Sequence, residues 1–412
     1  MRMLPFSSSG VNGALLSLLV FVPSERAVGT DWSHYRGPNR DGISEESGLS
    51  TSGEANVLWE KSLGLGYSSP VIGDGKVVIS GHDGESTDTL YCLDEATGEQ
   101  KWKYSYEQPI GDLYFQGGTT GTATIEGGRV YQLAREGELF CLSLDSGEVI
   151  WQKHLQNDFG YSKPTWGFTG SPTVLGDRVF VNAGESGLAL DKASGSVIWK
   201  SDNEEAGYST PFPMVKNGNR LMIFSSKRAY TCVNADTGEE IWNQRWMTRY
   251  GVNAADPVVS GDLIFISSGY GKGSILLKWT GEEKPEKVWQ SRDMRTQMNA
   301  CVLIDGHLYG VDGNEGVDGT GLKCIELMSG EVKWTAPSVG HGAISAVQGN
   351  LVVLTEAGDL EIAPATSSGY KPSFSQSVLK PKIWTVPVFA NGRMYCRNAS
   401  GNLVVLEMGS KS

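Results

Sequence analysis

Residues 93–102 read LDEATGEQKW: an apolar strand end runs into a polar turn, the turn closes on Gly98, and Trp102 follows four residues later. The construction recurs as LSLDSGEVIW ending at Trp151, LDKASGSVIW at Trp199, VNADTGEEIW at Trp242 and IELMSGEVKW at Trp334. Gly98, Gly147, Gly195 and Gly238 follow one another at intervals of 49, 48 and 43 residues. A unit of that length with a constant internal pattern marks a repeat architecture. A fifth copy is stretched between Gly281 and Trp289, and a seventh is degraded, with Phe374 near the Trp position.

Upstream of each copy lies a second signal: a small residue or Pro, a short apolar run, a Gly/Asp/Asn turn and another apolar run. It starts at Ser69 (SPVIGDGKVVIS), Thr122 (TATIEGGRVYQL), Ser171 (SPTVLGDRVFVN) and Thr210 (TPFPMVKNGNRLMIF). It starts again at Asp256 (DPVVSGDLIFIS), Ala300 (ACVLIDGHLYGV), Ser345 (SAVQGNLVVLT) and Val386 (VPVFANGRMYCR). These are β-hairpins whose turn residues tolerate positive φ. Hairpin and Trp signal together give four strands per unit, the content of a propeller blade. The sequence therefore predicts an all-β, eight-bladed β-propeller of four-stranded antiparallel blades.

The ends predict how the ring closes. Asn402–Glu407 (NLVVLE) is the third strand of the eighth unit, and no fourth follows it. Val57–Leu63 (VLWEKSL) is an orphan strand with Trp59 in the slot of Trp102. The N-terminal strand is expected to complete the last blade and remove an open sheet edge. The expected organisation is a leader over 1–29, a lead-in segment over 30–56 and one propeller over 57–412. The recurring indole is expected to pack on the polar turn of the neighbouring blade and hold blades together.

Composition agrees with many short strands and tight turns. Glycine accounts for 53 of 412 residues, against a usual ~7%, with 12 Trp and only 16 Pro. This excludes a collagenous, coiled-coil or disordered chain. A net charge of −12 argues against nucleic acid or an anionic membrane surface as partner. The apolar run Gly13–Val22, with Arg2 before it and Ala27-Val28-Gly29 after it, fits a secretory signal cleaved near Gly29 and is too short to span a bilayer. No Cys follows it, which argues against a lipid anchor, and no later segment is apolar enough to span. The expected location is exported: periplasm or cell envelope.

Six cysteines form no CxxC, adjacent or haem-attachment pattern. Cys92, Cys141, Cys232 and Cys324 share one strand slot and read as small buried hydrophobes. The five His lie scattered, with no zinc spacing. Asp312-Gly-Asn314-Glu-Gly-Val-Asp318 resembles a Ca²⁺ loop in its acidic spacing but lacks the rest of that pattern, and reads as a solvated Gly-rich loop. Asp83, Glu85 and Asp88 read as a solvated loop tip.

Strand polarity separates the two faces. First–second and third–fourth turns share one face and are short and uniform; second–third loops and inter-blade connections share the other and are long and varied. The varied face is the expected binding face. Groups just before each innermost strand point to the axis: Tyr67, Trp166, Tyr208, Arg249, Asn253, Asp256, Gln297, Asn299, His341, Lys382 and Trp384. Trp166, Arg249, Asn253, Asn299, Lys382 and Trp384 are candidates to hold a planar, oxygen-rich ligand. Asp256 with Asn253 and Asn299 offers oxygens to Ca²⁺, and Asp256 is the candidate catalytic base. The alternative is that these groups hydrogen-bond inter-blade loops around the channel.

The repeat resembles the PQQ-like (quinoprotein) β-propeller repeat over nearly the whole mature chain. With Asp31–Gly42 (DWSHYRGPNRDG), GYSSP at 66–70 and WGFTGSP at 166–172, it resembles an exported bacterial group of PQQ-like propellers and is distantly similar to BamB, a scaffold of outer-membrane assembly. The resemblance implies either a binding or scaffold protein, with an envelope protein, carbohydrate or small molecule as partner, or a periplasmic quinoprotein dehydrogenase holding PQQ and calcium in the axial funnel and oxidising alcohols or sugars. The chain departs from those dehydrogenases in lacking an adjacent-cysteine pair and a haem-attachment motif, and in being shorter. The binding or scaffold role is the expectation taken forward.

Overall fold

The computed structural model describes residues 30–409 other than 52, 283, 315 and 318. The apolar leader lies outside these residues. Among the described residues, eight sheets follow one another along the chain, each built on antiparallel strands paired in sequence order, with an N-terminal strand added to each of the last two. Blades 1 to 7 cover residues 71–107, 124–154, 173–200, 212–245, 258–291, 302–336 and 343–377. Blade 8 covers 388–407 and is completed by Asn56–Ser62, which pairs antiparallel with Asn402–Glu407. Among the described residues, helix is confined to Leu155–Phe159 and a 3-10 turn at Pro337–Val339. Among the described residues, no helix is long and apolar enough to cross a membrane.

The first strand of each blade is the inner one. Val71–Gly73, Thr124–Glu126, Thr173–Leu175 and Phe212–Lys216 each contact the next around the ring. The two middle strands are almost fully buried, because their alternating side chains meet the blade on either side. One such inter-blade layer joins Val78, Cys92 and Trp102 of blade 1 to Ile125, Val130 and Phe140 of blade 2. All six cysteines are buried free thiols, four of them directly opposite a slot residue such as Trp102.

The recurring Trp does bridge blades. Trp59 Nε1 donates to Glu95 O, Trp102 to Leu144 O, Trp151 to Lys192 O, Trp199 to Ala235 O, Trp289 to Leu327 O and Trp334 to Thr366 O, all at 2.8–3.1 Å. Each accepting carbonyl belongs to the polar turn of the next blade. The stretched fifth copy breaks the series: Trp242 Nε1 is buried without an acceptor, and the indole packs edge-on against Trp279 at 6.0 Å.

Two loop expectations change. Asp83 does cap its turn, accepting from the amides of Glu85, Ser86 and Thr87. Asp88, however, is 3% exposed and accepts from the Tyr106 hydroxyl, because strand alternation turns it inward. Asp312 is likewise buried, ion-paired to Arg295 and Lys323; Glu315 and Asp318 lie outside the described residues.

Candidate functional site

A funnel of about 790 Å³ occupies the axis on the face of the long loops. Its lower wall is built by residues that open the first strands of six blades, Ser69, Thr122, Ser171, Thr210, Asp256 and Val386. Their hydroxyls tie neighbouring blades: Thr122 Oγ1 accepts from the Ser69 amide at 3.0 Å, and Thr210 Oγ1 from the Ser171 amide at 3.2 Å. Asp256 takes the same slot in blade 5 and accepts from the Thr210 amide at 2.7 Å. A carboxylate thus stands in a Ser/Thr position of an inter-blade ring.

The far end of the axis is closed by the lead-in segment. Trp32 O and Ser33 O accept from the Ile72 and Ile125 amides in blades 1 and 2. Arg40 donates to Val174 O in blade 3. On the opposite side Arg36 donates to Ala300 O and Cys301 O of blade 6, both at 2.7 Å. Ile43–Ser44 then adds a parallel fifth strand to blade 7, and Glu46 accepts from the Gly392 amide of blade 8. The segment therefore crosses the channel from blades 1–3 to blades 6–8, and Tyr35 becomes the funnel floor, its hydroxyl 3.3 Å from Asn299 Oδ1. Arg36 is 2% exposed, its guanidinium donating to backbone carbonyls while lying close enough to Asp256 to act on its carboxyl.

Burial pushes the Asp256 carboxyl up to about 6, against the opposing pull of Arg36, the Thr210 amide and Arg40. Burial also raises the Tyr35 phenol, reinforced by Asp256. Arg40 is drawn down to about 10 by burial, with Glu126 and Asp256 opposing.

Of the axial candidates, Trp166, Arg249, Asp256, Asn299 and Trp384 line the funnel together with Tyr67, Tyr208 and Gln297. Tyr67 stacks on Trp384 at 4.8 Å, and Trp166 meets Tyr208 edge-on at 5.8 Å. Lys382 stands behind this lining, its Nζ 4.1 Å from the Trp384 ring centroid. His341 packs edge-on against the same ring. Asn253 is fully buried in the wall, donating to Ser226 O and Trp246 O and accepting from Ser268 Oγ. Its carboxamide is occupied by inter-blade hydrogen bonds.

Sequence reasoning missed the floor, Tyr35, Arg36 and Arg40, and the aromatic mouth, Tyr114, Tyr250 and Tyr270. The floor carries no repeat signature to align it. The ring of hydroxyls was visible as the first letter of the hairpins at Ser69, Thr122, Ser171 and Thr210, with Asp256 as its one acidic member.

A family profile described as "Outer membrane protein assembly factor BamB" matches residues 112–336, more than half of the chain. No curated protein sequence matches it. Among solved structures, BamB from Moraxella catarrhalis is 15% identical, with 86% of this chain and 100% of that one covered and a TM-score of 0.63. A europium-containing methanol dehydrogenase is 13% identical, covering 92% and 89%, with a TM-score of 0.66. The quinohemoprotein alcohol dehydrogenase from Comamonas testosteroni is 14% identical, covering 93% and 81%, with a TM-score of 0.64. At such identities the likeness is one of fold.

The dehydrogenase neighbours raise the question of a quinone and its cation. A Ca²⁺ ion takes about 6–8 oxygen ligands. The axial set offers one carboxylate, Asp256, already bonded to Thr210; the Asn253 amide is in the wall, and the Asn299 amide meets Tyr35 and Trp384 O. Among the described residues, no three His, Cys, Asp or Glu side chains converge on a metal position. These residues do not fit PQQ with calcium.

Proposed function

The chain belongs to the PQQ-like propeller family described as outer membrane protein assembly factor BamB, and from that membership we propose that it is an exported binding protein whose ligand sits in the axial funnel of the loop-rich face. The observation that carries this is the blind funnel: aromatic at the mouth, hydroxyl-lined at the wall and closed below by Tyr35 on its Arg36-anchored segment. A volume of this size lies within the roughly 300–1,000 Å³ of small-ligand sites. Exposed apolar side chains gather at the mouth, Tyr114 at 86% and Val317 at 52% exposure among them, as at surfaces that bind. Export rests on the apolar leader at 13–22.

The alternative, a quinoprotein oxidoreductase, is supported by Asp256 as a lower-wall carboxylate of raised pKa, and opposed by the shortage of oxygen ligands for a cation around it. Purified protein with PQQ and Ca²⁺ separates the two. The binding reading expects no dye reduction with ethanol or glucose and no thermal stabilisation by the pair. It expects a rise of a few °C with a saturating cognate ligand. Turnover dependent on PQQ overturns it.

A further inference from the structure

We infer that the funnel takes the end of a neutral glycan chain, an inference that rests on the binding reading above. The closed floor decides that an end enters. A polymer cannot thread past Tyr35, because the segment beneath is hydrogen-bonded to blades on both sides of the axis. The cavity has room for a few sugar rings and no more.

The lining decides the chemistry. Stacked Tyr67–Trp384 on one side and Trp166 with Tyr208 on another present aromatic surfaces to the C–H faces of pyranose rings. Between them lie groups that donate or accept, the hydroxyls of Thr122 and Thr169 and the amide of Gln297, which match sugar hydroxyls. Beneath the floor the charges face one another within the protein, Asp256 and Glu126 against Arg36 and Arg40, and Arg295 is held by Asp312, while Arg249 stands exposed at the mouth. A ligand without charge is therefore favoured at the floor. A peptide added as an extra strand is disfavoured, because that mode needs a free strand edge. Here the amides of Ser69, Ser171 and Thr210 are already donated to side chains of the next blade.

The test is tryptophan fluorescence titration of the full chain with β-1,4-linked hexasaccharides of glucose, N-acetylglucosamine, xylose and mannose, beside a tryptic digest of serum albumin. At least one sugar is expected to give a saturable change. Trp166→Ala and Trp384→Ala are expected to weaken it roughly tenfold or more. Tyr250→Ala, at the exposed mouth, is expected to weaken it without altering the melting temperature. Trp334→Phe, outside the funnel, is expected to leave it unchanged. No response to any of the four sugars overturns the inference, as does a response that the funnel variants leave intact. Binding of the digest alone overturns the glycan class but leaves the binding reading standing; PQQ-dependent turnover removes both.

Discussion

The indole of Trp59 packs against Gly98 across the seam where the last blade meets the first. A Cβ at Gly98 would lie 2.6 Å from Trp59 Cδ2, and Gly98 holds φ +70°, a conformation side chains resist. The N-terminal strand thus closes the ring by seating its Trp on a turn some 40 residues downstream, its Nε1 bonded to Glu95 O. Gly98→Ala is expected to cost about 2–4 kcal/mol in urea unfolding. Gly218→Ala is the control: φ is +77° but nothing lies within 4 Å of the added Cβ, so only about 1–2 kcal/mol of backbone strain is expected. Equal losses at both sites would show that the indole contact contributes nothing.

The slot tryptophans differ in one atom's fate. Trp102 donates to Leu144 O, whereas Trp242 has no acceptor. Replacement by Phe removes similar volume at both sites but breaks a hydrogen bond at only one. Trp102→Phe is expected to lose about 1 kcal/mol more than Trp242→Phe, read as the difference between two thermal unfolding series. The reverse order would mean that the packing of Trp242 on Trp279 outweighs the hydrogen bond of Trp102.

Arg36 fastens the floor. Its guanidinium donates to Ala300 O, Cys301 O and Asp41 O from a site 2% exposed. Arg36→Met keeps the stem and strands those carbonyls, at an expected cost of about 2–4 kcal/mol. The local signature is faster hydrogen exchange at the Ile72, Ile125 and Ala346 amides, which donate to Trp32 O, Ser33 O and Gly42 O. Uniform acceleration across all blades would instead place Arg36 in global stability and not in holding the segment.

The ring was legible because its signal is repeated: a Gly-then-Trp spacing, present in several copies, survives the loss of any one. Even the stretched copy after Gly281 marked the place where Trp242 loses its acceptor. The site was legible only where it shared that periodicity, as with Asp256 and Asn299. Asn253 sits at a comparable distance from its strand yet turns into the wall, since side-chain direction there depends on two separate segments that accept from it, the loop within blade 4 at Ser226 and the start of the connection to blade 5 at Trp246. The floor was hidden for the opposite reason. Tyr35 and Arg36 belong to no repeat, and only long-range contacts to blade 6 reveal what they cover.

Asp256 makes stability depend on pH in a direction opposite to most carboxylates. Its folded pKa of about 6 lies above the ordinary 3.8, chiefly through burial. Between those values the folded state holds a proton that the unfolded state has released, so stability falls as pH rises from about 4 to 6. Above that window the ionised group costs on the order of 2–3 kcal/mol. Asp256→Asn keeps an oxygen for the Thr210 amide and stays neutral at every pH. It is expected to match the parent near pH 4 and exceed it in stability at pH 7.5, as measured by urea unfolding at pH 4, 5, 6 and 7.5. Asp88, also pushed up to about 6 by burial, is common to both proteins and cancels in the difference. A gap between the two that stays constant across the series would mean that Asp256 is already ionised at pH 4, held so by Arg36 and Arg40 beneath the funnel floor.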